Sequence, residues 1–211
     1  MTRGVVHVAV VVCASLCSAA AAVYADSPTP RPAPVGGAST VTPAARVSAP
    51  AEVTAALPQA RLVGHGVLRF FGLQVYEVRL CAAPGFDASR YDVQPFALEL
   101  VYARKLDGAA IAERSIAEMK RVDSFTAGQS KAWLAAMNQA FPSVVAGDRL
   151  VGVNSGQGTV RFLHNGKPTA ALDDARFARL FFGIWLAPQT SSPALREALL
   201  GAAGAVGPDS R

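Results

Sequence analysis

The order in which two hydrophobic periodicities follow each other along residues 58–201 constrains the fold of this chain most strongly. Apolar residues that alternate with period two are typical of β-strands, whereas apolar residues spaced three and four apart are typical of helices. The sequence shows strand-like segments, two helical segments, further strand-like segments and two final helical segments. This order predicts an α+β fold, an antiparallel sheet with helices on one face, rather than alternating βαβ units.

The first strand-like segments meet at a predicted turn. Residues 61–71 and 73–81 flank Gly72, and a tight turn favours glycine because it has no Cβ. Residues 96–104 then alternate, with Tyr102 on one face and Glu99 on the other. This alternation predicts a half-buried strand that directs Glu99 outward.

The later part of the domain carries one strong hairpin signal and several helix starts. The pair Asn165-Gly166 lies between two apolar segments and predicts a two-residue β-hairpin turn, because both residues tolerate positive φ. Side chains that accept backbone hydrogen bonds predict where the helices begin. The predicted helix starts are Asp107, Thr126 with Gln129, Asp173 or Asp174, and Ser192 with Pro193.

The first 25 residues show the pattern of a cleavable signal peptide. A short basic start precedes an almost wholly apolar stretch, and small residues precede a cut after Ala25. A retained membrane anchor is the alternative, because the apolar stretch approaches the length that spans a bilayer. We expect a disordered Pro/Ala-rich linker over residues 26–57, one domain over 58–201 and a disordered tail over 202–211. The expected location is the periplasm or the medium.

Composition excludes several classes of site. Cys13 and Cys17 lie inside the predicted signal, so Cys81 has no partner for an internal disulfide. His65 and His164 lack the spacing of metal ligands, and we expect neither a metal nor a cofactor. The net charge of +5 comes from scattered basic residues, which does not favour nucleic-acid binding.

Several short strings occur in a characteristic order along nearly the whole domain. They include Gly64-His65-Gly66-Val67-Leu68-Arg69, Leu98-x-Leu100-x-Tyr102-x-Arg104, Glu118-Met119-x-Arg121, Val160-x-Phe162 and Phe181-Phe182-x-Ile184-Trp185-Leu186. In this order the chain resembles the chalcone isomerase-like family, in its bacterial exported branch. The resemblance implies an open-faced sandwich, a curved antiparallel sheet backed by helices, with a ligand cleft between them. It also implies one of two functions, closure of a chalcone ring or binding of a fatty acid through an arginine and a tyrosine.

The resemblance further implies that most of the catalytic residues are missing. The strand arginine of the family corresponds to Leu68, and Arg69 replaces it only if the strand register shifts by one residue. Tyr76 stands where the enzymes have threonine and where the fatty-acid-binding relatives have tyrosine. The family's helix tyrosine, lysine and asparagine, and its late threonine or serine, correspond to Ile111, Arg114, Glu118 and Ala178. Enolate stabilisation needs hydrogen-bond donors, and Ile111 and Ala178 supply none, so we expect no chalcone cyclisation.

Six residues are candidates for ligand binding: Tyr76, Arg104, Arg69, Tyr102, Ser115 and Arg114. Each also has a structural interpretation. Tyr76 can bond to backbone at the edge of the core, and Arg104 can extend into water. Arg114 can pair with Glu118 one helical turn later, and the Ser115 hydroxyl can bond to a carbonyl one turn back.

Three functions remain open at this point. The expected one is a non-catalytic protein that binds a fatty acid or similar hydrophobic carboxylate in the cleft. The second is an isomerase of the intramolecular lyase type that uses different residues. The third is an accessory protein with a filled cleft that acts through a partner surface. The sequence leaves the oligomeric state open.

Overall fold

The computed structural model of the chain describes residues 49–201. The predicted signal peptide, linker residues 26–48 and the predicted tail lie outside those residues. The five α-helices of the described part are α1 (Ala51–Ala56), α2 (Gly108–Val122), α3 (Ala127–Ala140), α4 (Ala175–Leu186) and α5 (Pro193–Leu200). Its six strands are β1 (Arg61–Phe70), β2 (Leu73–Ala82), β3 (Phe96–Tyr102), β4 (Arg149–Asn154), β5 (Thr159–His164) and β6 (Lys167–Asp173), and Ala88–Val93 form a 3-10 helix.

The six strands form one open, curved antiparallel sheet in which every strand pairs with its neighbour in the chain. Helices α2 to α5 pack on one face, here called the helical face, to which β2 and β3 contribute Val78, Leu80, Leu98 and Leu100. The predicted α+β architecture, a curved antiparallel sheet backed by helices, is thus confirmed. Among residues 49–201, no helix is both long and apolar enough to cross a bilayer.

Both predicted hairpins have turns of two residues. Phe71 and Gly72 connect β1 to β2 with φ of +47° and +77°, and Asn165 and Gly166 connect β5 to β6 with +50° and +80°. Positive φ at both central residues is the pattern of a type I′ turn, whose twist matches that of the flanking strands. The first strand therefore ends at Phe70, one residue before its predicted end.

The helix starts follow the predicted capping residues closely. The Asp107 side chain accepts hydrogen bonds from two backbone N–H groups of the first turn of α2. Thr126 and Gln129 form the predicted capping box at α3. Of the two candidates before α4, Asp174 is the one that caps the helix. Ser192 precedes α5 without a side-chain cap, and Pro193 occupies the first turn.

The opposite side of the sheet, here called the α1 face, is partly covered by α1. Val53 of α1 is fully buried in an apolar cluster that includes Cys81 of β2. Glu52 Oε1 lies 2.9 Å from Nη2 of Arg149 on β4. Residues 51–56, expected in the linker, are therefore helical and packed, and the domain begins before residue 58. Burial of Val53 and the ion pair of Glu52 supply the stabilisation that linker composition alone did not indicate.

Glu99 does not face solvent as predicted. Its side chain is on the α1 face of β3, where the residue is only 1% exposed. One carboxylate oxygen lies 3.3 Å from Nη1 of Arg79, and the other lies 2.9 Å from Nη1 of Arg149. Two guanidinium groups from the adjacent strands compensate the buried charge, which is the condition for burying a carboxylate.

The last helix of the described chain packs against the first strand. A Cβ placed on Gly64 of β1 would overlap the backbone carbonyl oxygens of Ala198 and Leu199 in α5. Only glycine allows the two backbones to approach this closely. This contact closes the helical layer over β1 and positions Leu195 above the sheet.

Candidate ligand-binding site

A cavity of about 630 Å³ lies between the helical face of the sheet and the helices. Its lining is mainly apolar and comes from β1 to β5, α2, α4 and α5. Apolar lining residues include Leu98, Leu100, Ile111, Phe162, Phe181 and Leu195. The cavity has the volume and the apolar character of a small-molecule site.

All six residues predicted to bind ligand line this one cavity: Arg69, Tyr76, Tyr102, Arg104, Arg114 and Ser115. The structure therefore brings together side chains from β1, β2, α2 and the C-terminal end of β3. Six of the lining residues are exposed: Arg69, Phe70, Arg104, Ala110, Arg114 and Ser191. We call the three arginines and Phe70 the cavity mouth. That any of these side chains contacts a ligand stays a prediction.

Tyr76 is held at the cavity wall by a tryptophan from the helical layer. The indole Nε1–H of Trp185 on α4 donates a hydrogen bond of 3.0 Å to the Tyr76 hydroxyl oxygen. The ring of Tyr102 on β3 lies edge-on to that of Tyr76, with centroids 5.9 Å apart. Burial raises the pKa of Tyr76 to about 12, against the hydrogen bond from Trp185, and burial also raises the pKa of Tyr102. Both phenols are therefore neutral hydrogen-bond donors at physiological pH.

Trp185 is a site residue that sequence analysis missed. Its place among the apolar residues of the last helices indicated only a core position, although it lines the cavity as well. A signal was present, because a buried indole N–H needs an acceptor and Tyr76 was the predicted polar group on the facing sheet. The pairing itself depends on how α4 lies over β2, which no local pattern encodes.

A β-bulge lies beside the two residues of β1 that are candidates for the position of the family's arginine. Leu68 pairs with Tyr76, whereas the next residue, Arg69, pairs with Gln74, so Val75 of β2 has no partner in the register. The extra residue disrupts strict alternation, and both Leu68 and Arg69 line the cavity. The register of β1 against β2 therefore shifts at Arg69, and the replacement of the family's arginine by Arg69 stays a prediction.

The arginines of the mouth differ in their ionic partners. Arg114 Nη2 lies 2.5 Å from Oε1 of Glu118, the predicted pair one turn apart, and Arg121 Nε approaches Oε2 of Glu118 to 3.5 Å. Among residues 49–201, neither Arg69 nor Arg104 has a carboxylate oxygen within the 4.0 Å that defines an ion pair. Two positive charges at the mouth therefore lack a counter-charge from the described part of the protein.

Glu118, which corresponds to the family's helix asparagine, was not among the six candidates for ligand binding. It lines the cavity from α2 although it is only 6% exposed. Its partners Arg114 and Arg121 lie on the same helix and leave most of their own side chains in solvent. The carboxylate is therefore already neutralised by two arginines of α2.

The remaining polar side chain of α2 is committed to the backbone. The Ser115 hydroxyl donates a hydrogen bond of 2.8 Å to the carbonyl of Ile111, as its structural interpretation predicted. Met119, one turn further along α2, is fully buried in the core and is not part of the lining. Within residues 49–201, no group of His, Cys, Asp or Glu side chains is arranged to hold a metal ion.

Comparisons with known proteins place this geometry in a family. No curated protein matches the chain. The crystal structure of a fatty-acid binding protein from Arabidopsis thaliana has the same fold, with a TM-score of 0.53 and 11% sequence identity, over 67% of this chain and 87% of that one. A family model described as chalcone isomerase-like matches residues 42–201. On that match over most of its length, the chain belongs to the chalcone isomerase-like family.

Proposed function

We propose that this protein binds a fatty acid or a similar hydrophobic carboxylate and does not transform it chemically. The observation that carries the proposal is the combination of an apolar cavity with two arginines at its mouth, Arg69 and Arg104, that lack a carboxylate partner among residues 49–201. An elongated apolar molecule with one anionic end complements both features. The fold shared with a plant fatty-acid binding protein is consistent with such a ligand.

The apolar part of the ligand occupies the cavity between sheet and helices. Its volume of about 630 Å³ lies within the range of ligand pockets, and aliphatic and aromatic side chains dominate its walls. Few hydrogen-bond donors are available inside, since the Ser115 hydroxyl is engaged with the backbone. The cavity thus suits an acyl chain or an aromatic body better than a sugar or a nucleotide.

The anionic end of the ligand binds near the mouth. Hydrogen bonds between arginine and carboxylate are charge-assisted and are among the strongest in proteins. The Tyr76 hydroxyl receives the indole N–H of Trp185 and donates no hydrogen bond among residues 49–201. It therefore has a hydrogen to offer, and the raised pKa keeps that hydrogen in place at neutral pH. Arg104 and Arg69 supply the positive charge, and Tyr76 supplies a neutral donor.

The same geometry gives little support to the two other functions. An intramolecular lyase requires donors placed to stabilise an enolate, and the pKa of about 12 makes Tyr76 a poor base at neutral pH. Ala178, at the position of the family's late hydroxyl, is buried and supplies no donor. An accessory protein with a filled cleft does not need a cavity of this volume.

The proposal is tested on the purified protein by calorimetry and by displacement of a fluorescent fatty acid. We expect saturable binding of medium- and long-chain acids. Arg104→Ala and Tyr76→Phe each remove one contact to the carboxylate and weaken binding roughly ten- to hundredfold. Arg61→Ala, at the opposite end of β1 and outside the cavity lining, is the matched control and leaves affinity unchanged.

Three outcomes contradict the proposal. The first is absence of binding to any such acid by the wild-type protein. The second is unfolding of both cavity variants, which would give Arg104 and Tyr76 a structural role. The third is conversion of a chalcone to its cyclised product, followed by absorbance, which would favour the lyase.

We also propose that the protein acts after export, in the periplasm or the medium, as a member of a bacterial exported branch. The support is the signal-peptide pattern of residues 1–25. The expected mature N-terminus is Asp26, which intact-mass measurement of the exported protein determines. Exported protein that retains residues 1–25 would contradict cleavage and favour an anchor.

A further inference from the structure

The loop between β1 and β2 presents large apolar side chains to solvent. Phe71 is 88% exposed, and Phe70 and Leu73 on either side of the turn are each 58% exposed. The rings of Phe70 and Phe71 pack edge-on against each other, with centroids 4.5 Å apart. We call Phe70, Phe71 and Leu73 the hydrophobic tip. A cluster of exposed apolar side chains of this kind marks an interaction site more often than a defect.

The requirements of folding do not account for the residue at position 71. The Asn165-Gly166 turn has nearly the same φ angles as the Phe71-Gly72 turn and uses asparagine, the residue favoured at positive φ. A bulky side chain such as that of Phe71 is disfavoured in this conformation. Packing of the Phe71 ring against the rest of the described chain does not offset this strain, because the residue is almost fully exposed. The remaining reason for a phenylalanine at this position is an interaction with a partner outside residues 49–201.

The hydrophobic tip adjoins the cavity mouth. Arg69 precedes the tip directly, and both Arg69 and Phe70 line the cavity. Arg104 follows β3, which pairs with β2, and it lines the same cavity. Apolar side chains and arginines without carboxylate partners among residues 49–201 therefore surround one opening. A surface that offers an apolar interior behind a layer of negative charge matches this arrangement.

We propose that the hydrophobic tip inserts into the surface of an anionic lipid bilayer, with the cavity mouth facing the lipid. Phenylalanine and leucine side chains of membrane-surface segments insert at the boundary between headgroups and acyl chains, and arginines can extend toward lipid phosphates. A two-residue turn is a narrow projection, and a fluid bilayer accepts it without a complementary pocket. This surface is a property separate from the proposed ligand, and it gives an amphiphile a route between bilayer and cavity.

Vesicle binding of the full chain tests the proposal. Wild type and Phe71→Asn are compared by co-sedimentation with vesicles of equal parts phosphatidylcholine and phosphatidylglycerol. We expect Phe71→Asn to weaken partitioning about tenfold, the effect of withdrawing one large apolar side chain from lipid. Its stability stays equal or rises, because asparagine suits the turn, so unfolding does not explain the loss. Val93→Asn is the matched control, since Val93 is 52% exposed at the opposite end of the sheet.

A second variant reports on the tip alone, independently of any affinity of the N-terminal residues for lipid. The emission of the indole introduced by Phe71→Trp is taken as the difference from wild type, because Trp133 and Trp185 also emit. With these vesicles it is expected to shift to the blue and to be quenched by brominated acyl chains. Absence of both responses overturns the proposal, as does equal partitioning of wild type and Phe71→Asn. Emission that is already blue and unresponsive to vesicles also overturns it, because another protein segment or a second copy then covers the tip. If the wild-type protein binds these vesicles but binds no fatty acid, the proposed ligand is refuted and the proposed membrane contact is not.

Discussion

On the α1 face of the sheet, each carboxylate oxygen of Glu99 contacts an arginine, whereas at the cavity mouth Arg69 and Arg104 have no carboxylate partner among residues 49–201. Both regions place charge beside apolar surface. They differ in where the counter-charge comes from. On the α1 face it belongs to β2 and β4, and at the mouth the described chain does not supply it.

The difference separates charges that hold the fold from charges that are available to a ligand. A buried carboxylate that loses its arginines is strongly destabilising, so the network around Glu99 has to stay intact in the folded state. An exposed arginine keeps its hydration without a partner and costs the fold little. Substitutions on the α1 face should therefore change stability, and substitutions at the mouth should change affinity.

The largest expected effect is on stability, from Glu99→Gln. The substitution keeps the size of the side chain but leaves the guanidinium groups of Arg79 and Arg149 without their shared carboxylate. We expect the free energy of unfolding in urea to fall by about 3 kcal/mol. Fatty-acid affinity, measured at low denaturant, should not change, since Glu99 is not part of the cavity lining.

Glu77→Gln is the control for that variant. Glu77 pairs with Arg79 at 2.9 Å, but both side chains are over a quarter exposed, so its removal should cost less than about 1 kcal/mol. Equal losses from the two variants would show that burial of Glu99 has no special role in the stability of the α1 face.

The second largest expected effect is a loss of stability at alkaline pH, which begins at a different pH for a side chain on each face. The pKa of Tyr76 is raised from 10.0 to about 12 by burial, so its contribution to stability is present below pH 10 and is lost as pH rises toward 12. The pKa of Cys81, on the α1 face, is raised from 9.0 to about 11, again by burial, so its contribution is lost from pH 9 upward. Each contribution is at most about 2–3 kcal/mol.

Unfolding in urea at a series of pH values measures both. Cys81→Ala should remove the fall in stability that begins near pH 9. Tyr76→Phe should reduce the part that begins near pH 10, to which Tyr91 and Tyr102 also contribute because burial raises the pKa of both. A wild-type stability that is constant from pH 8 to 11 would mean that neither side chain is as buried as the structure shows.

The arginines of the mouth should have a smaller effect, confined to binding. Arg69→Ala and Arg104→Ala are each expected to weaken fatty-acid affinity by about tenfold or more in calorimetry, with unfolding free energies within about 0.5 kcal/mol of wild type. An effect from Arg104 alone would mean that the bulge between Leu68 and Arg69 does not bring Arg69 to the ligand. A loss of stability in either variant would contradict the conclusion that charges at the mouth affect affinity and not folding.

The smallest expected effect concerns the attachment of α1. Glu52→Gln removes the ion pair with Arg149 and should favour brief release of the helix from the sheet. Because Cys81 is buried in the same apolar cluster as Val53, a thiol reagent can reach it only when this cover opens. We expect labelling to accelerate roughly two- to fivefold, the effect of a partly exposed ion pair. Thr54→Ala, on the exposed side of α1, is the control and should leave the rate unchanged.

The sequence predicted those features that local patterns encode. Asn165-Gly166 required positive φ at two residues, and Thr126 with Gln129 completed a capping box, so the turn and the helix start could be placed from a few residues. The alternation in β3 assigned Leu98 and Tyr102 to the same face. The resemblance to a family then indicated which strand tyrosine and which arginines to consider.

The features that could not be predicted depend on long-range contacts. Helix α1 lies in a segment of linker-like composition, and its helical state depends on burying Val53 against strands far along the chain. Glu99 was predicted to face solvent because the arginines that neutralise its carboxylate come from β2 and β4, and the pattern of β3 alone does not indicate them. The contact between Trp185 and Tyr76 joins residues 109 positions apart.

The contact between Gly64 and α5 has a consequence for the order in which the chain is made. The six strands pair in chain order, so each can join the sheet soon after it is synthesised. The cavity cannot be completed in the same way, because Leu195 of α5 forms part of its wall and α5 must return to β1. A nascent chain that ends before residue 193 therefore has its sheet but not its closed pocket. The ability to hold a ligand arises only when the last helix packs against β1.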